Sequence, residues 1–201
     1  MLNISARKKT TFRERSNTIK SLDAEIKSCM SCGLCKTRTN VVTGRYLEPS
    51  DAIIVDWMPN SAEDKAGAML EGGRSASFDK LFSLSKPTLD ITKLSFTSVY
   101  KCFGEDTSSS ECLKFLDQQL REFDPVLIIA LGEDVLSKIS GRKDLKAGVA
   151  YVCGEENQFL LYQLIHPRAV VADKDKNVPV WKVQLQNLAA LAARFDLKIF
   201  K

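Results

Sequence analysis

The chain reads as an α/β protein, a three-layer α/β/α sandwich with a mostly parallel central four-stranded sheet. Two observations predict it. Short apolar runs alternate with amphipathic stretches along the chain, which is the order of repeated strand-helix units. One of those runs, "PVLIIALG" (125–132), is apolar almost throughout, as strands covered on both faces are. The 201 residues, 44% hydrophobic and 27% charged, suffice for one substantial core and show no repeat, low-complexity tract or linker.

The elements follow in order. "TIKSLDAEIK" (18–27) places Ile19, Leu22 and Ile26 at helical spacing and delivers the chain to Cys29. "DAIIVDWMP" (51–59) is a short apolar run closed by proline and predicts a buried strand, while "NSAEDKAG" after it has the chemistry of turn and loop. A helix is expected over 75–85, with Phe78, Leu81 and Phe82 on one face. "LSFTSVYK" (94–101) is a second strand running into Cys102, and "SSECLKFLDQQLREFD" a helix carrying Cys112 in its first turn. The apolar run at 125–132 is the third strand, with Gly132 turning into the helix "EDVLSKIS". "QFLLYQLIHP" is the fourth, ending at His166 and Pro167, and "VPVWKVQLQNLAALAARF" a closing helix. Ligands of such sheets bind beyond the carboxyl ends of the strands, here "DWMPN", "YKC", "ALG" and "IHP".

No run approaches the roughly eighteen apolar residues of a membrane helix, and "MLNISARKKTTFRERSNT" lacks an apolar core after its basic residues, so a cytoplasmic protein is expected, without a membrane partner and monomeric. The net charge is +4, and Arg7, Lys8, Lys9, Arg13, Arg15 and Lys20 face one acid, Glu14, in the first twenty residues. Residues 1–20 are therefore read as a basic arm, solvated or laid along phosphates, and 21–201 as the folded domain.

Six cysteines in a reducing compartment point to metal ligation or catalysis rather than disulfides. Cys29, Cys32 and Cys35 stand at three-residue steps, and Cys102 and Cys112 form a second, distant pair. Four thiolates suit a 4Fe-4S cluster or a structural zinc, and spacing leaves open which of the first three is spare. A redox dithiol expects a strand before Cys29, and none is predicted there. Cys153, in "YVCGEEN", reads as a small buried hydrophobe.

From Cys29 onward these motifs resemble the iron-sulfur uracil-DNA glycosylases, family four of the uracil-DNA glycosylase superfamily. "CMSCGLCKTRTNVVTG" is similar to that family's cysteine motif, and "AIIVDWMPNSAEDKAG" to its first active-site motif, with Pro59, Glu63, Asp64 and Gly67 matching. "FTSVYKC", "DPVLIIALG" and "LIHP" resemble three further motifs in the family's order. The resemblance implies a 4Fe-4S cluster on Cys29, Cys32, Cys102 and Cys112 with Cys35 spare, and DNA as the partner. It further implies His166 stabilising the charge on a leaving base, with Glu63 and Asp64 as catalytic carboxylates and Asp56 as a further acid able to take over water activation. Asp56, Trp57, Pro59, Leu70 and Ser98 are the implied substrate-binding positions. Several of these depart from the family: Trp57 stands where it has the water-positioning acid, Asp56 and Asn60 where it has glycines, Leu70 where an aromatic stacks on uracil, and Ser98 where an asparagine reads the uracil edge. A hydroxyl forms one bond where an amide offers a matched pair. The expected function is excision of uracil or a modified base from DNA; the rivals are a catalytically inactive DNA-binding or replication-complex module working with replication or repair proteins, and a zinc-stabilised α/β binding protein.

Overall fold

The computed structural model describes residues 12–47, 50–105, 110–154 and 158–201, and of 12–16 the backbone alone. Five strands, β1 (Ala52–Asp56), β2 (Ser95–Ser98), β3 (Leu127–Leu131), β4 (Ala150–Cys153) and β5 (Phe159–Leu164), form one sheet in the order β2-β1-β3-β5-β4. β1, β2, β3 and β5 are mutually parallel, and β4 runs antiparallel along the edge of β5. The expected four-stranded sheet therefore gains a fifth strand. β4 is apolar, Ala150–Cys153, but only four residues long and partly covered, too short a run between turn residues to be read as a strand.

The seven helices among the described residues are α1 (Phe12–Lys27), α2 (Ser61–Ala66), α3 (Arg74–Phe82), α4 (Glu111–Phe123), α5 (Glu133–Ser140), α6 (Pro167–Ala172) and α7 (Lys174–Arg194). Successive strand residues point to opposite faces, and the core divides accordingly. Ile54, Ile129, Tyr162 and Leu164 pack with Phe78 and Phe82 of α3 and Trp181, Leu185 and Leu188 of α7. Ile53, Val55, Ile128, Ala130 and Leu161 pack with Ile19 of α1, Leu116 and Phe123 of α4, and Val135 and Leu136 of α5. These are the three layers.

Two helices stand where loop was expected. The segment "NSAEDKAG" forms α2 because Asn60 caps it: its side chain accepts from the backbone N–H of Ala62 and Glu63, and Glu63 returns a bond to Asn60 N–H. His166 caps the short α6, with Pro167 at its first position. α1 begins within the stretch read as the basic arm; Arg7, Lys8 and Lys9 lie outside the described residues.

Candidate active site and cysteine cluster

The parallel strands deliver Asp56, Ser98, Gly132 and His166 to one end of the sheet. Beyond β2 the chain keeps following β1, with Val99 N–H donating to Asp56 O (2.8 Å) and Tyr100 N–H to Trp57 O (2.9 Å). Gly132 has a φ of 95°, a region closed to most side chains, and a Cβ there would stand 3.4 Å from that of His166. The turn from β3 into α5 thus lies directly against the histidine.

His166 has its tautomer set by its neighbours. Its Nδ1 accepts from Arg168 N–H (3.1 Å), so the proton of the neutral ring resides on Nε2, which donates to Asp56 Oδ1 (3.1 Å). Burial first, then the positive charges of Arg168 and Arg74, push the imidazole down to about 4, so the ring is neutral at pH 7. Asp56 is almost fully buried; its Oδ1 also accepts from Trp57 N–H, and Arg74 pairs with its Oδ2. Arg74 reaches on to Glu63 Oε2 (2.5 Å) and lies over the Phe78 ring. Burial lowers its guanidinium to about 10, which leaves it charged. The result is a continuous chain Glu63–Arg74–Asp56–His166. Arg74 had no distinguishing signal in the sequence.

The other anticipated residues fall as follows. Glu63 is fully buried, with Oε1 accepting from Leu70 N–H (2.7 Å) and Oε2 from Asn60 N–H and Arg74; burial pushes its carboxyl up against the pull of those backbone donors. Asp64 accepts from Thr39 N–H (3.0 Å) and Asn40 N–H (3.3 Å), tying α2 to the segment that follows the cysteines. Leu70 is buried in the core, and Pro59 is buried. Ser98 is fully buried and its hydroxyl donates to Tyr100 O (2.7 Å). Trp57 is half-buried and meets the Tyr100 ring edge-on at 5.0 Å.

Two cavities flank His166. One, of about 430 Å³, lies on the α3 side between Arg74, Phe78, Leu81 and α6. The other, of about 400 Å³, lies on the α5 side between Trp57, Gln163 and the start of α5. His166 and Arg168 line both. Gln163 was not singled out from the sequence, although it is the polar interruption of the "FLLYQLI" run.

Away from this site, Cys102 is buried in a small cluster with Leu22, Ile26, Leu34 and Phe115, against which Cys29 and Cys32 pack, while Cys112 is buried in the larger core beside Ile19, Tyr100 and Leu116. Burial raises both buried thiols; Cys102 further feels Cys112 and Cys32, and Cys112 feels Cys32 and Cys29. Cys35 enters neither set. Arg38 donates to Cys102 Sγ (3.2 Å) and to Cys29 O (2.6 Å), and the buried Lys101 lies beside Cys112. Among the described residues no three His, Cys, Asp or Glu side chains are grouped as a single metal ion would need. Cys153, expected to be buried, is half-buried at the edge of a third cavity. Arg45 turns inward and donates to Ile91 O and Leu94 O.

The model of the uracil DNA glycosylase superfamily matches residues 44–189. The chain belongs to that superfamily. It is 25% identical over 171 residues to a type-4 uracil-DNA glycosylase of Sulfurisphaera tokodaii, covering 77% of this chain and 76% of that protein. It is 30% identical over 139 residues to the type-4 enzyme of Pyrobaculum aerophilum, covering 65% and 70%, and 30% identical over 128 residues to that of Archaeoglobus fulgidus, covering 61% and 63%. The expected family and α/β layering are thus borne out, while the cysteine segment at 29–35 precedes the matched superfamily region.

Proposed function

We propose that the protein is a DNA N-glycosylase that takes a uracil or modified base into the strand-end site and hydrolyses its glycosidic bond. The observation that carries this reading is His166, which lines both cavities, keeps its ring proton on Nε2 because Nδ1 accepts from Arg168 N–H, and contacts the buried carboxylate of Asp56. Such a donor stabilises the negative charge that grows on a departing base, and a group already neutral gives up no charge of its own in doing so. Asp56 is the carboxylate in contact with His166, its Oδ1 shared with Trp57 N–H and its Oδ2 with Arg74, whereas Glu63 and Asp64 serve backbone N–H groups away from the histidine. In this reading Asp56 orients the water that attacks the sugar carbon and accepts its proton, while the base leaves as an anion hydrogen-bonded to Nε2. Glu63 and Arg74 hold Asp56 in place, and Trp57, Pro59, Leu70 and Ser98 shape the surrounding wall.

The thiols of Cys29, Cys32, Cys102 and Cys112 fit a 4Fe-4S cluster: they are soft ligands, they sense one another's charge, and Arg38 stands ready to hydrogen-bond a thiolate sulfur. Thiolate ligation there would staple the loop after α1, the segment after β2 and the start of α4 together. Anaerobically purified protein is expected to contain iron and sulfide. Cys35→Ser is expected to keep both and Cys112→Ser to lose them; one zinc and no iron would refute the assignment.

DNA is the expected partner. Arg168, Lys174 and Lys176 are exposed on the side of the site and can meet phosphates. Binding is expected to weaken steeply with salt, and binding indifferent to salt would contradict that role. The activity is tested with oligonucleotides carrying uracil, hypoxanthine and 5-substituted uracils. Excision that falls about a hundredfold or more in His166→Ala supports the reading.

A second reading, a DNA-binding module of a replication or repair complex without catalysis, is favoured by Ser98 and Asp56. The serine hydroxyl is spent on Tyr100 O, and Asp56 engages the histidine N–H that a base would need. DNA binding without excision of any of these bases would select it.

A further inference from the structure

β5 is buried on both faces, and Gln163 interrupts its apolar run. Its residue surface is 5% exposed and its backbone carbonyl accepts from Gly148 N–H, yet its side-chain amide forms no hydrogen bond among the described residues. The amide is not sealed in the core: its atoms keep a little accessible surface, so a mostly buried amide without a protein partner is left open to a ligand. This one lines the cavity of about 400 Å³ that it shares with Trp57, His166, Arg168 and the first turn of α5.

The walls specify what fits. α5 starts at Gly132 with no side-chain cap, so its first N–H groups are open, but Glu133 and Asp134 already complement that helix end and disfavour an anion. Arg168 balances them from the opposite rim. A neutral occupant offering both a donor and an acceptor suits an amide, and the Trp57 indole supplies an apolar ring beside it. The volume falls within the range of small-molecule pockets. Ser98, by contrast, has its hydroxyl engaged by Tyr100 O, so β2 offers no free edge reader.

We infer that Gln163 reads the edge of the base, the cavity between Trp57 and α5 receiving a nucleobase with adjacent N–H and C=O groups. Gln163 Oε1 accepts from the ring N–H and Nε2 donates to the neighbouring carbonyl, with His166 at the same cavity wall. The inference rests on the glycosylase reading for its place in a reaction, since a base held there is the leaving group; the occupancy itself is testable without catalysis.

The probe is 1-methyluracil, which keeps the N3–H and O4 edge and blocks N1 as the sugar does; 1,3-dimethyluracil removes the donor. Binding to the full chain is read from tryptophan fluorescence, because Trp57 lines the cavity whereas Trp181 is fully buried in the core, and from the NMR signals of the single histidine. Millimolar 1-methyluracil is expected to bind the wild type. Gln163→Met, of similar length but without hydrogen bonds, is expected to weaken that binding about tenfold or more while melting no earlier than the wild type. 1,3-dimethyluracil is expected to bind both proteins equally weakly. Absence of 1-methyluracil binding to the wild type, or equal binding to Gln163→Met, overturns the inference. Excision assays on the same samples separate the two claims: uracil excision unaffected by Gln163→Met leaves the glycosylase and removes the reader, while Gln163-dependent base binding without any excision keeps the reader and removes the glycosylase.

Discussion

Asp56 and the Glu63–Asp64 pair belong to one motif segment, yet their carboxylates have different surroundings. Glu63 and Asp64, which match the superfamily motif in the sequence, satisfy backbone N–H groups of Asn60, Leu70, Thr39 and Asn40. Asp56, which departs from it, is buried and touches the histidine that lines both cavities. The difference separates two reasons for an acid in such a motif. One ties the loop that follows β1 together; the other holds the histidine that lines both cavities.

That contrast is first sharpened by stability. Glu63→Ala leaves a buried Arg74 with one carboxylate fewer and two backbone donors unsatisfied, and is expected to cost about 3 to 5 kcal/mol. A denaturant midpoint measured beside the wild type checks it, and a change within error would mean that Glu63 does not hold the loop. Asp64→Asn keeps the size of the side chain but weakens its acceptors and is expected to cost about 1 to 3 kcal/mol. The capping contribution of Asn60 is smaller: Asn60→Ala is expected to cost about 1 kcal/mol.

Protonation provides a further test. An unfolded histidine takes up its proton near pH 6.5, whereas folded His166 resists until about 4. Between these values the unfolded chain binds more protons, so stability falls as pH drops through that window and is undiminished above it. His166→Gln is expected to remove that part of the slope, seen as a shallower change in denaturation midpoint from pH 7 to pH 4.

The layered α/β fold was legible because β1, β3 and β5 are buried on both faces and must be written in apolar residues. β4 was not, since its apolar run of four residues, Ala150–Cys153, is too short to tell from a loop. α2 hid behind turn-forming residues, although Asn60 followed by Glu63 is a capping box and a readable start signal. At the site, His166 was legible from its place before proline at a strand end. Arg74 and Gln163 were not, because their significance is spatial: one bridges carboxylates from β1 and α2, and the other is an amide left without a partner inside a cavity.

The central claim is that catalysis depends on Asp56 and His166 and that the acids of α2 serve structure. Its most direct test is uracil excision by Asp56→Asn and Asp64→Asn under single-turnover conditions, normalised to folded protein. Asp56→Asn is expected to lose about a hundredfold or more while Asp64→Asn stays within a few-fold of wild type. Full activity in Asp56→Asn, with loss in a well-folded Asp64→Asn, would contradict the account.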